Sequence, residues 1–136
     1  MRSPCLALAA VLSAGATHAA NADPLLECAV MVGQTADLNA CLSAQLEVSY
    51  GAMNEALALA RARAQALDSG AGGDAAILGI EASQQAFEAW RDTACQTEAI
   101  FAGGDAAADN VELACEIALT RTRSDMLVRL SAPRAG

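Results

Sequence analysis

Apolar positions recur at three- and four-residue steps through most of this chain, in blocks separated by glycine-rich breaks. The longest block runs from about Thr35 to Leu67, where Leu42, Leu46, Ser49, Met53, Ala56, Ala60 and Leu67 trace one stripe of a helix. Thr35 or Asp37 suits its N-cap. Gly51 interrupts the stripe at a cost of about 1 kcal/mol relative to alanine, which marks close packing or a local bend. The run Asp68 to Asp74 (DSGAGGD) then breaks the helix. A third segment, about Ala75 to Phe101, places Ile80, Phe87, Ala94 and Phe101 seven apart, with Ser83, Trp90 and Thr97 three residues after the first three. That is a heptad-like seam. Gly103-Gly104-Asp105 makes the next turn. A fourth segment, about Ala106 to Leu130, carries Leu113, Ile117, Thr120 and Leu127 on one stripe, widened by Leu119, Met126 and Leu130, and Ser131-Ala132-Pro133 ends it. A short first helix, about Pro24 to Val32, starts on a proline suited to a first turn and stops at Gly33. Valine and isoleucine are sparse and alanine dominates, which favours helix over strand. The pattern predicts an all-α fold, a small antiparallel helical bundle of hairpins.

The N-terminus has a different character. Arg2 supplies a positive start, Cys5 to Ala14 is a short apolar run, and Ala20-Asn21-Ala22 or Thr17-His18-Ala19 offers small residues for a peptidase. The run is too short to span a bilayer. Residues 1–22 therefore read as a secretory signal rather than a first core helix, and 23–136 as one helical domain of about 110 residues. Cys5 inside the apolar run and Glu27 before Cys28 do not suit a lipoprotein signal. With no second apolar span, no membrane anchor is expected.

Export changes how the cysteines read. Cys28, Cys41, Cys95 and Cys115 remain after the leader, an even count that in a small exported domain reads as two disulfides. Three pairings are open to four cysteines. Geometry favours Cys28–Cys41 and Cys95–Cys115, because the first pair is centred on Gln34 beside Gly33 and the second on Asp105 beside Gly103-Gly104. Residues equidistant from the turn of a helical hairpin face each other across it. A four-cysteine zinc site would need CxxC knuckles, which the chain lacks.

Charge narrows the partners. The full chain has a formal charge of −8, and loss of the leader removes Arg2 and the only histidine, His18. Sixteen acids then face the remaining seven arginines, with no lysine. Such a chain avoids nucleic acid and anionic lipid and is drawn to cationic partners. Catalysis finds little footing. No histidine is left to act as a base, the cysteines are committed to bridges, and GAGGD lacks the lysine and hydroxyl of a phosphate loop. Asp109, Glu112 and Glu116 read as a solvated face rather than a glycosidase pair. No cofactor or metal is expected.

The sharpest local signal is Gln84, Phe87, Trp90, Arg91 and Asp92 on the third segment, with Thr120 and Arg123 on the fourth. Arg91 can reach a carboxylate in two-point fashion. The structural reading is that Gln84 and Arg91 tie their helix to a neighbour, through Asn54 or the backbone near Gly103. Arg123 then pairs with a carboxylate, Thr120 bonds back to its own helix, and Arg121 and Arg129 are solvated.

The frame Cys28…Cys41…Met53-Asn54…Gln84-x-x-Phe87-x-x-Trp90-Arg91-Asp92-x-x-Cys95…Gly103-Gly104…Cys115…Thr120-x-x-Arg123 resembles the lysozyme-inhibitor LprI-like N-terminal domain family over nearly the whole mature chain. Phe87 stands where that family usually has tryptophan and Met53 where it has leucine. The resemblance implies an exported, disulfide-stapled helical domain of the bacterial envelope, periplasmic or secreted, whose relatives include lysozyme inhibitors. The expected function is non-catalytic binding of a basic lysozyme, with acids at the turns (Asp68, Asp74, Asp105, Asp109) able to reach a cationic cleft. The alternative is an envelope interaction module with another protein partner.

Overall fold

The structure, a computed structural model, describes residues 22–32 and 35–133. It comprises four α-helices: α1 (Pro24–Val32), α2 (Thr35–Ala71), α3 (Ala75–Phe101) and α4 (Ala106–Ser131). There is no strand among the described residues. Apart from Ala22, the expected leader lies outside them, as do Gly33 and Gln34 at the first turn. No helix among them is long and apolar enough to cross a membrane.

α2 is 37 residues long, about 55 Å at 1.5 Å per residue, and it is the spine of the fold. α3 returns antiparallel to it and α4 returns antiparallel to α3, so α2 and α4 run side by side in the same direction. Their contact is the most extensive in the molecule, and α1 closes one end by packing on both. The disulfides pair as expected: Cys28–Cys41 joins α1 to α2 with Cα atoms 5.8 Å apart, and Cys95–Cys115 joins α3 to α4 at 5.5 Å. Closing loops of this length contributes about 3 kcal/mol each in the chain-entropy estimate.

The core has two apolar clusters. One gathers Met53, Ala56, Leu57, Ala60, Ala64, Ile80 and Leu127 near the α2–α3 turn. The other gathers Cys28, Leu42, Ala114 and Ile117 under α1. Alanines let the helices approach closely, so each cluster is thin. Burying a large aliphatic side chain yields about 1.5–3 kcal/mol, and this core holds few of them, which is where the staples matter.

The helix ends depart from expectation in an informative way. α2 runs four residues past Leu67, to Ala71, and stops where Gly72 takes positive φ (74°) and its N–H bonds the Asp68 carbonyl at 2.8 Å. Asp68 is thus helical and buried rather than a loop residue. Its carboxylate accepts from the N–H groups of Ala76 and Ile77, both at 2.8 Å, and so caps α3 from the last turn of α2. Asp74, the local N-cap residue, makes no side-chain cap bond. Asp105 caps α4 in the ordinary way, accepting from the Ala107 N–H at 2.9 Å. Asp68 is therefore unable to reach out to a partner.

The stripes were partly misplaced by the periodicity. Leu67 is exposed, while Leu57 and Ala64 are buried. On α3 the buried face is Ile80, Gln84, Arg91, Cys95 and Ala99. Trp90 and Phe101, assigned to the seam by the heptad reading, are 56 % and 87 % exposed. The true seam carries polar side chains, which a search for apolar residues passes over.

Two glycines give opposite tests. A Cβ on Gly51 meets nothing within 4 Å, so this glycine marks no close packing. Gly51→Ala should stabilise by about 0.5–1 kcal/mol through helix propensity. Gly104 has φ of 72°, and Gly104→Ala should destabilise by about 1–2 kcal/mol. Urea melts of both variants check the signs.

Candidate functional site

Between the two apolar clusters lies a layer of polar side chains contributed by α2, α3 and α4. Arg91 and Arg123 are each 6 % exposed, and Thr120 is fully buried. Guanidinium groups do not lose their charge in proteins, so their burial requires that every N–H be directed at something.

The layer meets that requirement. Arg123 donates from Nε to Gln84 Oε1 at 3.0 Å and from Nη2 to Ser83 Oγ at 2.6 Å, and its Nη1 lies 3.2 Å from Met126 Sδ. Gln84 in turn donates to Glu88 Oε1 at 2.9 Å and approaches Met53 Sδ at 3.6 Å, so one amide links α3 to both α4 and α2. Arg91 donates twice to Asp92 Oδ1, at 3.0 and 2.7 Å, and reaches Thr120 Oγ1 at 3.5 Å. No buried side-chain nitrogen or oxygen lacks a partner among the described residues.

Aromatic rings complete the shell. The Arg91 guanidinium carbon lies 5.0 Å from the Tyr50 ring centroid and 5.7 Å from that of Phe87, and Arg123 lies 5.4 Å from Phe87. Two cations therefore share one ring, an arrangement worth about 2 kcal/mol per contact where water is excluded. Burial pushes Arg123 below the usual arginine range. Tyr50 donates to Glu116 Oε2 at 3.5 Å. Burial raises the Glu116 carboxyl above its ordinary value, against the lowering pull of Arg91, and also raises the Tyr50 phenol.

Gln84, Phe87, Arg91, Asp92, Thr120 and Arg123 thus meet in one layer, in which Gln84 and Arg91 join α3 to its neighbours. The details differ. Arg123 binds an amide and a hydroxyl rather than a carboxylate, and Thr120 accepts from Arg91 through its side chain. Asn54 is exposed and outside the layer. Trp90 touches it only through Phe87, with ring centroids 6.3 Å apart. Gly103 and Gly104 form the α3–α4 turn, away from the layer. Arg121 is not solvated: it donates to Glu27 at 3.0 and 2.9 Å and to Gln45 at 2.7 Å, locking α1 onto α2 and α4. Glu116 is half-buried rather than part of a solvated face. Tyr50 was overlooked; its signal was being the only tyrosine of an aromatic-poor chain, one helical turn from both Leu46 and Met53.

The family described as Lysozyme inhibitor LprI matches residues 27–127. The chain belongs to that family. The match spans most of the sequence and contains the whole polar layer, from Tyr50 to Arg123, together with both disulfides. No curated protein and no solved structure matches the chain. The LprI family carries the name of an inhibitor, and inhibition is binding rather than turnover. The described residues contain no group of three or more His, Cys, Asp or Glu side chains able to hold a metal ion. The donors and acceptors of the layer are spent on one another, so in this LprI protein the layer is a clamp that fixes three helices, and their outer surfaces are what it presents.

Two predictions follow from the clamp. Gln84→Ala leaves the Arg123 Nε–H without its acceptor and should cost about 2–3 kcal/mol, whereas Asn54→Ala at an exposed position should cost under about 0.5 kcal/mol; denaturant melts compare them. The second concerns pH. Because the folded protein holds the Glu116 proton more tightly than the unfolded chain, whose glutamates titrate near 4.5, stability from this site falls as pH rises from there through the folded pKa. Glu116→Gln should therefore be at least as stable as the parent at pH 7, with its advantage shrinking at pH 4. A variant clearly weaker at pH 7 contradicts this.

Proposed function

We propose that this protein is exported to the periplasm or beyond the cell and binds a basic lysozyme, blocking it without chemistry of its own. The observation that carries the reading is the match to the lysozyme inhibitor family over residues 27–127.

The distribution of charge supports it. Arg61, Arg91 and Arg121 form ion pairs with Glu81, Asp92 and Glu27, and Arg123 is consumed in the polar layer. Most acids, by contrast, stand at the surface: Glu47, Glu55, Asp74, Glu98, Asp109 and Asp125 are all exposed. Among the described residues the unpaired acids at the surface thus outnumber the unpaired arginines, in keeping with the net charge of the chain. Such a field raises the encounter rate with a cationic protein and does so less as salt screens it. Asp74 and Asp109 remain available at the turns, where Asp68 does not. Two disulfides fit an oxidising compartment.

The test is the lytic activity of a basic animal lysozyme on cell walls, with and without the purified protein, at low and high salt. Inhibition at micromolar protein, weakening several-fold as salt rises, is expected. Undiminished lysis at low salt with a folded, fully disulfide-bonded protein removes the reading.

A further inference from the structure

Six arginines lie among the described residues, and four are engaged by acids, amides or hydroxyls. The other two, Arg63 on α2 and Arg129 on α4, make no ion pair or side-chain hydrogen bond with a described residue. Both line the same open groove of about 690 Å³, together with Leu67, Met126 and Leu130. In so acidic a chain, two such arginines lining one apolar cleft are a local reversal of sign. The groove continues along α2 and α3 into a second hollow of about 260 Å³, which shares Arg63, Leu67 and Leu130 and adds Ala60, Ala64, Ala76, Gly79 and Ile80. These volumes lie around the range of small-molecule sites, about 300–1,000 Å³.

We propose that this groove binds a single-chain amphipathic carboxylate, of the fatty-acid type. The two guanidiniums receive the head, since paired forked donors match a carboxylate in two-point fashion. The tail runs toward Ile80 over Ala60, Ala64, Ala76 and Gly79. Small residues form the floor of the groove, against which an unbranched chain can lie flat. Leu67 and Leu130, large side chains about half exposed, form its walls.

Calorimetric titration of the purified, disulfide-intact protein with dodecanoate below its micellar concentration tests this. Saturable one-to-one binding is expected, tighter than for octanoate by up to about tenfold per two methylenes buried. Dodecanol, which lacks the charge, should bind at least tenfold more weakly. The double variant Arg63→Gln/Arg129→Gln should lose at least tenfold, while Arg61→Gln, which removes an arginine paired elsewhere, should bind as the parent does. Equal binding of dodecanol and dodecanoate, an unaffected double variant, or no saturable binding overturns the proposal. Amide resonance shifts in the parent protein provide a readout that needs no variant. Shifts gathered at Leu67, Gly79 and Leu130 support the site, and shifts gathered instead at the apolar surface around Met31 and Val48 refute it.

Discussion

The constraint on which this structure depends is the burial of two guanidinium groups in a core too thin to hide them without help. Arg91 and Arg123 cannot shed their charge, so the helices must stand where Gln84, Ser83, Thr120 and Asp92 receive their N–H groups and where Tyr50 and Phe87 cover their faces. An apolar alanine-rich interface tolerates sliding, because one alanine is much like the next. A layer of directed bonds does not, since a shift of one residue leaves a buried donor without an acceptor. The polar layer thus fixes the register of α2, α3 and α4, and the apolar clusters on either side supply the burial.

The disulfides and the inter-helix ion pair act on the parts this layer does not reach. Cys95–Cys115 closes the α3–α4 hairpin beyond Arg91, toward the Gly103-Gly104 turn. Cys28–Cys41 and the Arg121 bonds to Glu27 and Gln45 hold α1, a nine-residue helix too short to be stable by itself, against the end of the bundle. Asp68 does the same at the opposite end, tying the start of α3 to the end of α2. Each extremity of the fold therefore has its own covalent, ionic or hydrogen-bonded tie.

The sequence disclosed the helices because glycine and proline punctuate them, and the pairing of the cysteines because each pair is centred on a turn. It disclosed the polar layer only as a list of residues. The partners within the layer were hidden because they are long side chains on three helices. Whether Arg123 meets an amide or a carboxylate depends on the rotation of α3 by a fraction of a turn. That rotation was misread from the spacing of Phe87, Trp90 and Phe101, large residues that in this small domain lie partly or wholly at the surface. Asp68 was misread for a related reason. A Gly-rich run predicts that a helix ends, but the residue at which it ends was set by a carboxylate reaching a backbone four residues beyond the chain reversal.

The same accounting of arginines joins the interior to the exterior. Arg61, Arg91 and Arg121 each neutralise a carboxylate of their own, and only Arg123 is held by neutral groups. Among the described residues the unpaired acids at the surface still outnumber the unpaired arginines. The anionic exterior follows from the excess of acids over arginines, while the buried guanidiniums set the register of the helices. Arg63 and Arg129 stand outside this economy. They serve neither the clamp nor an ion pair with a described residue, and both line an apolar cleft at the end of the bundle farthest from α1. In a fold that pairs its other described arginines within the chain, these two face one groove, and it is there that the proposed carboxylate finds its counter-charge.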